Sequence, residues 1–275
     1  MEKQQINKFI EQIKLETTYK KFLESNIINL LLSIFNTTPY NGIEKLNYSN
    51  NIINPLKFVL EFFKDFNIKY YNTIMTGFKN GKIIISKDNT KSFTDTNNNK
   101  TIIKIYENDG DLFIIAHELA HFIDRNSYPQ IIPNKYWFLS ETFAFYIEKR
   151  LQSWLGNKYK DLIFTRNNNR LHYEKQMLKA IENELFYENL YLQNGIIDER
   201  DIDIQKIKSI IQYDIPFNIV NYLLQYPLAN IISSYLINTN MIQDNNNFAE
   251  ICISINLYEL LEEVSLGKHI LILTK

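Results

Sequence analysis

The run His117-Glu118-Leu119-Ala120-His121 carries residue types at a spacing that can do chemistry. Residues i and i+4 share one face of a helix, so both imidazoles can reach a single metal ion. Glu118 projects beside them, where it can take a proton from a metal-bound water. A catalytic zinc site needs three protein ligands and an open fourth position. Two further histidines, His172 and His269, are present. Ser127 stands six residues after His121, so the three-histidine arrangement of the metzincins is absent. Cys252 lies in an apolar run and reads as a core residue. Glu141 is the better third ligand. Its neighbours in Leu139-Ser-Glu-Thr-Phe-Ala-Phe-Tyr146 are mostly apolar, and a carboxylate buried among them needs a partner, which a metal supplies. The competing reading is a surface or capping glutamate, with Ser140 as the N-cap.

These residues need a helix to hold them. Apolar Leu112 to Ala116 precedes the motif, Phe122-Ile123 follows it, and Asp111 suits the first turn of a helix over 111–125. Before it, Ile6, Ile10, Ile13 and Leu15 mark one helical face and Phe22 to Phe35 a second apolar stretch, broken by Pro39, Asn41 and Gly42. Pro55 opens another helix, Leu56 to Phe66. Residues 70–78 and 82–86 flank Lys79-Asn80-Gly81 and read as a hairpin. A polar loop over 88–100 leads to a third strand over 101–106, the expected edge for an extended peptide. Further helices are expected over 136–155, 170–193, 198–211, 217–238 and 247–264, and the Asn clusters at 97–99, 167–169 and 245–247 read as loop filler. The resulting fold class is mainly α (α+β): long helices with a small three-stranded sheet beside the active-site helix. Residues 1–100 form an N-terminal helical region with the hairpin. Residues 101–275 are expected to form the catalytic region, one compact unit.

Composition narrows the partners. Lys+Arg 30 against Asp+Glu 31 gives a net charge of -1, which leaves no basic excess for a nucleic-acid backbone. One cysteine excludes an internal disulfide and a zinc site built from several thiolates. The opening residues have no apolar h-region and no run of 18 apolar residues occurs. The expectation is a cytoplasmic protein with no nucleic-acid or membrane partner.

Residues 101–150 resemble the active-site segment of the thimet oligopeptidase and oligoendopeptidase F family of zinc peptidases. That segment runs strand, short turn, acidic residue, apolar triplet, HE-[LF]-[GA]-H, then a helix with Glu followed by Thr or Val. Asp111 to His121 and Glu141-Thr142 fit it. The resemblance implies a zincin-like fold, one Zn²⁺ per chain on His117, His121 and Glu141, and Glu118 as general base. It places an acidic residue seven after the third ligand, matched by Glu148, which returns to the same helix face and could orient a ligand from behind. It extends to 213–236, where Tyr213, Tyr222 and Tyr226 are candidates for a phenol that stabilises an oxyanion; core packing is the competing reading of each. Departures exist. The family's histidine upstream of those tyrosines has no counterpart at Phe217 or Asn218, and Glu141 follows His121 by only 20 residues. Family members are also much longer, so a more open groove is expected here. His172 reads as a half-buried surface histidine or a hydrogen-bond donor to substrate, and His269 has no role.

The function implied is zinc-dependent hydrolysis of peptide bonds in a peptide or unstructured protein substrate. Two rivals stand beside it: a regulatory zinc protease that cleaves one protein partner, and a catalytically silent binding protein on the same scaffold.

Overall fold

Breakers are scarce, with seven Gly and six Pro in 275 residues, and helices dominate the described chain. The computed structural model describes residues 3–18, 25–37, 45–52, 54–87, 92–95, 100–127, 138–213, 218–242 and 248–266. In chain order the helices are α1 (Lys3–Glu16), α2 (Ser25–Thr37), α3 (Pro55–Phe66), α4 (Ile68–Lys79), α5 (Asp111–Ser127), α6 (Leu139–Leu155), α7 (Lys160–Asn194), α8 (Ile204–Ile211), α9 (Ile219–Thr239), α10 (Phe248–Ser254) and α11 (Leu257–Ser265). Strands β1 (Ile83–Ser86), β2 (Phe93–Asp95) and β3 (Lys100–Lys104) lie between α4 and α5. The mainly α class holds. The breakers Pro39, Asn41 and Gly42, the Asn clusters at 97–99 and 245–247, Phe217 and His269 lie outside the described residues.

The expected hairpin is replaced. Residues 68–79 are helical, with Asn67 as N-cap accepting from the amides of Lys69 and Tyr70. Asn80-Gly81 ends that helix, and Gly81 sits at φ 64°, the left-handed position that glycine tolerates. β1 therefore pairs in parallel with β3, Ile83 opposite Thr101 and Ser86 opposite Lys104. β2 pairs antiparallel on the other side of β3, Phe93 opposite Ile102. Strand β3 is thus central, not the edge expected from the sequence, because the polar stretch before it supplies a strand of its own.

The chain divides into two units. The first comprises residues 1–43, 171–228 and 256–270. In it α2 packs on α11, and Phe9 meets Tyr187 edge-on at 5.1 Å between centroids. The Tyr187 hydroxyl accepts from the Asp203 amide at 2.9 Å. The second unit comprises 44–170, 229–255 and 271–275.

The second unit is built around α5. Its residues Leu112, Phe113, Ala116, Leu119, Ala120 and Ile123 are fully buried, and they pack on α3, α4, α6 and β3. Gly77 lets α4 approach: a Cβ there would stand 2.5 Å from Phe122 and 2.7 Å from Ile83. Helix α6 is buried continuously from Thr142 to Glu148, which carries two glutamates, Glu141 and Glu148, into or beside the core. The start of α5 is tied down by segment 46–52. Buried Asp109 accepts from Ser49 Oγ at 2.5 Å and from the Ile52 amide at 2.8 Å. Asn169 on α7 bonds both the amide and the carbonyl of Leu46. Tyr48 lies against Gly110, where a Cβ would meet its ring at 2.7 Å. The Asn cluster at 167–169 is therefore helical, and Asn169 is a buried anchor rather than loop filler.

Candidate metal centre

The helical period brings His117 and His121 to one face of α5, with Nε2 atoms 3.1 Å apart. The first turn of α6 supplies Glu141. Its Oε2 lies 3.3 Å from His117 Nε2 and its Oε1 lies 3.4 Å from His121 Nε2. Four ligands held about 2.0–2.1 Å from one zinc stand about 3.3 Å apart along the edges of a tetrahedron. Each imidazole Nε2 has one Glu141 oxygen, a different one for each ring, at about that spacing, and the ligand atoms of the three residues lie within 4.8 Å of one another. Glu141 Oε2 is buried and makes no hydrogen bond among the described residues. Side chains of the trio keep 10–15% exposure, enough for one small molecule to reach them.

The far nitrogens fix which lone pairs point inward. His117 Nδ1 lies 2.7 Å from Glu148 Oε1. An ionised carboxylate only accepts, so Nδ1 carries the proton and Nε2 is left to bind. His121 Nδ1 lies 2.9 Å from Ser140 Oγ. With His117 Nδ1 donating to Glu148 and His121 Nδ1 hydrogen-bonded to Ser140, both Nε2 atoms and a carboxylate face one point. Such a group could hold a metal ion.

Electrostatics agree. Burial alone pushes His117 down, but the neighbouring carboxylates of Glu141 and Glu148 outweigh it and raise its pKa to about 9. Burial alone would raise Glu141, yet His121 and His117 hold its carboxyl far below the usual carboxylate range. In the metal-free protein a proton on His117 thus takes the cation's place. The folded pKa lies above the ordinary 6.5, so this proton's contribution to stability is full below about pH 6.5 and is lost as pH rises through about 9. A metal must displace the same proton. Zinc affinity is therefore expected to rise about tenfold per pH unit between about pH 7 and 8 and to level off above about 9. Chelator-competition titrations at several pH values measure this; a flat profile between pH values of about 7 and 8 contradicts the assignment.

Glu148 is buried and accepts from His117, Arg166 and Arg170. The arginines were not singled out from the sequence. One signal existed: two of the five arginines stand four apart, at 166 and 170. Ser140 reads from the sequence only as a cap, but α6 begins before it, with Phe138 at the N-cap, and its hydroxyl instead contacts His121.

The other candidates lie elsewhere. Tyr222 and Tyr226 belong to the first unit, their hydroxyls 3.3 Å apart. Tyr213, also in that unit, is pushed up to about 12 by burial. His172 is there too, bonded to Gln176 at 2.9 Å. All residues of the His117–His121–Glu141 cluster belong to the second unit. Cys252 is a buried free thiol, its pKa raised by burial, consistent with a core role. No helix among the described residues is long and apolar enough to cross a membrane. No protein-family model matches the chain, and neither does any curated protein or solved structure.

Proposed function

We propose that this chain is a zinc-dependent peptidase in which His117, His121 and Glu141 hold the metal. The observation that carries the reading is the convergence of two imidazole nitrogens and a carboxylate, their ligand atoms all within 4.8 Å of one another. A zinc ion bound there would lower the pKa of a water and polarise a scissile carbonyl. Glu118, between the two histidines on α5, accepts the proton of the attacking water and delivers it to the leaving amine. Glu148 and Ser140 hold the two rings so that their Nε2 atoms face inward. The zincin-like fold and kinship with the thimet oligopeptidase and oligoendopeptidase F family belong to the same proposal. Their support is the order β3, α5 with HExxH, and α6 with Glu141 and Glu148.

The substrate is a peptide or an unstructured protein segment. An extended chain can add main-chain hydrogen bonds only at an outer strand, and with β3 central those are β1 and β2. A folded substrate would first have to open locally. The test pairs metal analysis of the purified protein with cleavage assays on one target sequence, offered as a short peptide and within a long disordered chain. About one zinc per chain is expected, with cleavage of both substrates lost to a chelator and restored by zinc. Cleavage that survives full metal removal would overturn the reading. Cleavage of the short peptide alone would show a closed cleft and a strict oligopeptidase.

A further inference from the structure

We propose that Arg166 and Arg170 are positioning residues for His117, acting through Glu148; the inference rests on the zinc reading above. Glu148 takes five hydrogen bonds. Oε1 accepts from His117 Nδ1 at 2.7 Å and from Arg170 Nη2 at 2.8 Å. Oε2 accepts from Arg166 Nε at 2.9 Å, from Arg166 Nη2 at 2.7 Å and from Arg170 Nη2 at 3.1 Å. Every lone-pair direction of the carboxylate is in use, so it cannot turn about its last bond.

One guanidinium would neutralise one carboxylate. Two are present, and the trio of Glu148, Arg166 and Arg170 carries a formal +1 behind His117. Charge balance at Glu148 therefore does not account for the second arginine; geometry does. The Arg170 guanidinium carbon stands 3.7 Å above the ring centroid of Phe145, and Phe145 lies against the His117 ring at 5.3 Å between centroids. Arg170 thus reaches His117 twice, through the Glu148 carboxylate and through the Phe145 face. Arg166 lies over Phe113 at 5.6 Å, which anchors the clamp to α5 itself. The two arginines sit one turn apart on α7, so this helix fixes the imidazole's rotation from outside the α5–α6 pair.

A charge role and a positioning role predict opposite outcomes. If Arg170 matters only as a cation near a cation site, Arg170→Gln should tighten zinc binding and Arg170→Lys should leave it unchanged. If it positions His117, both variants should weaken zinc binding by about 10–100-fold, because an ammonium supplies neither the fork nor the stack. Zinc dissociation constants come from competition with a chromophoric chelator. The second readout is the downfield proton resonance of His117 Nδ1–H in the metal-free protein. It should be sharp in the unmodified chain and broadened or lost in Arg170→Lys and in Arg166→Gln/Arg170→Gln. Should the double variant fail to fold by circular dichroism, Arg170→Lys alone decides. Folded Arg170→Lys with the resonance intact and zinc affinity within about twofold of the unmodified chain overturns the proposal. If the unmodified chain binds no zinc, the peptidase reading fails, and the proton resonance still decides whether the arginines position His117.

Discussion

Replacing His117 or His121 with alanine is expected to take bound zinc from about one equivalent per chain to almost none. Each substitution leaves one imidazole and one carboxylate around the point where the lone pairs converge, and two ligands do not close a zinc site. His172→Ala should retain the full equivalent, since His172 lies in the other unit and bonds Gln176. Elemental analysis after gel filtration reads the loss directly. A thermal readout accompanies it. Zinc at about a thousandfold its dissociation constant adds roughly 4 kcal/mol to the stability of the unmodified chain, and that gain should vanish in both histidine variants. Equimolar zinc retained after both histidines are replaced would place the site elsewhere.

Glu118→Gln should keep zinc and lose about 10²–10⁴-fold in kcat, because an amide cannot accept the water's proton. The contrast with Glu141→Gln separates the two glutamates of the site. An amide at 141 replaces a charged ligand by a neutral one and weakens zinc binding itself, so its activity should return in part when zinc is raised. Activity lost in Glu118→Gln should not return at any zinc concentration. A Glu118→Gln protein with near-normal turnover would show that another group takes the proton.

The His117–His121–Glu141 cluster was legible in the sequence because it depends on local geometry. The i, i+4 pairing needs only a helix, and the apolar residues on both sides of His117–His121 supply one. Glu141 was legible because a carboxylate amid Thr142, Phe143 and Ala144 has few alternatives to a partner in the core. The strand expected over 70–78 failed for a physical reason. Tyr70, Tyr71, Thr73 and Ile74 favour strands in isolation, but Asn67 caps a helix there and Ile74 is buried against the second unit's core. Asn80-Gly81 serves a helix end as readily as a hairpin turn. The start of α7 was missed because Asn167–Asn169 are poor helix formers, and the bonds from Asn169 to Leu46 join residues 123 apart. No pattern of period 3.6 reports such a partner. Arg166 and Arg170 were overlooked for the same reason, since their target, Glu148, is on a different helix.

The tie between segment 46–52, the start of α5 and α7 bears on when the centre matures during synthesis. His117, His121 and Glu141 come from neighbouring helices, so all of them have left the ribosome once α6 is out. Asn169, Arg166 and Arg170 follow about 0.5 to 3 seconds later at roughly 5–20 residues per second. Closing the longer loop costs little extra, about 0.6 kcal/mol for each doubling of length, so the delay is set by translation and not by entropy. On the zinc reading, the nascent chain can chelate its ion while Glu148 still lacks its clamp. The ion would then act as an early cross-link between α5 and α6, onto which the arginine helix and the segment before α3 later close.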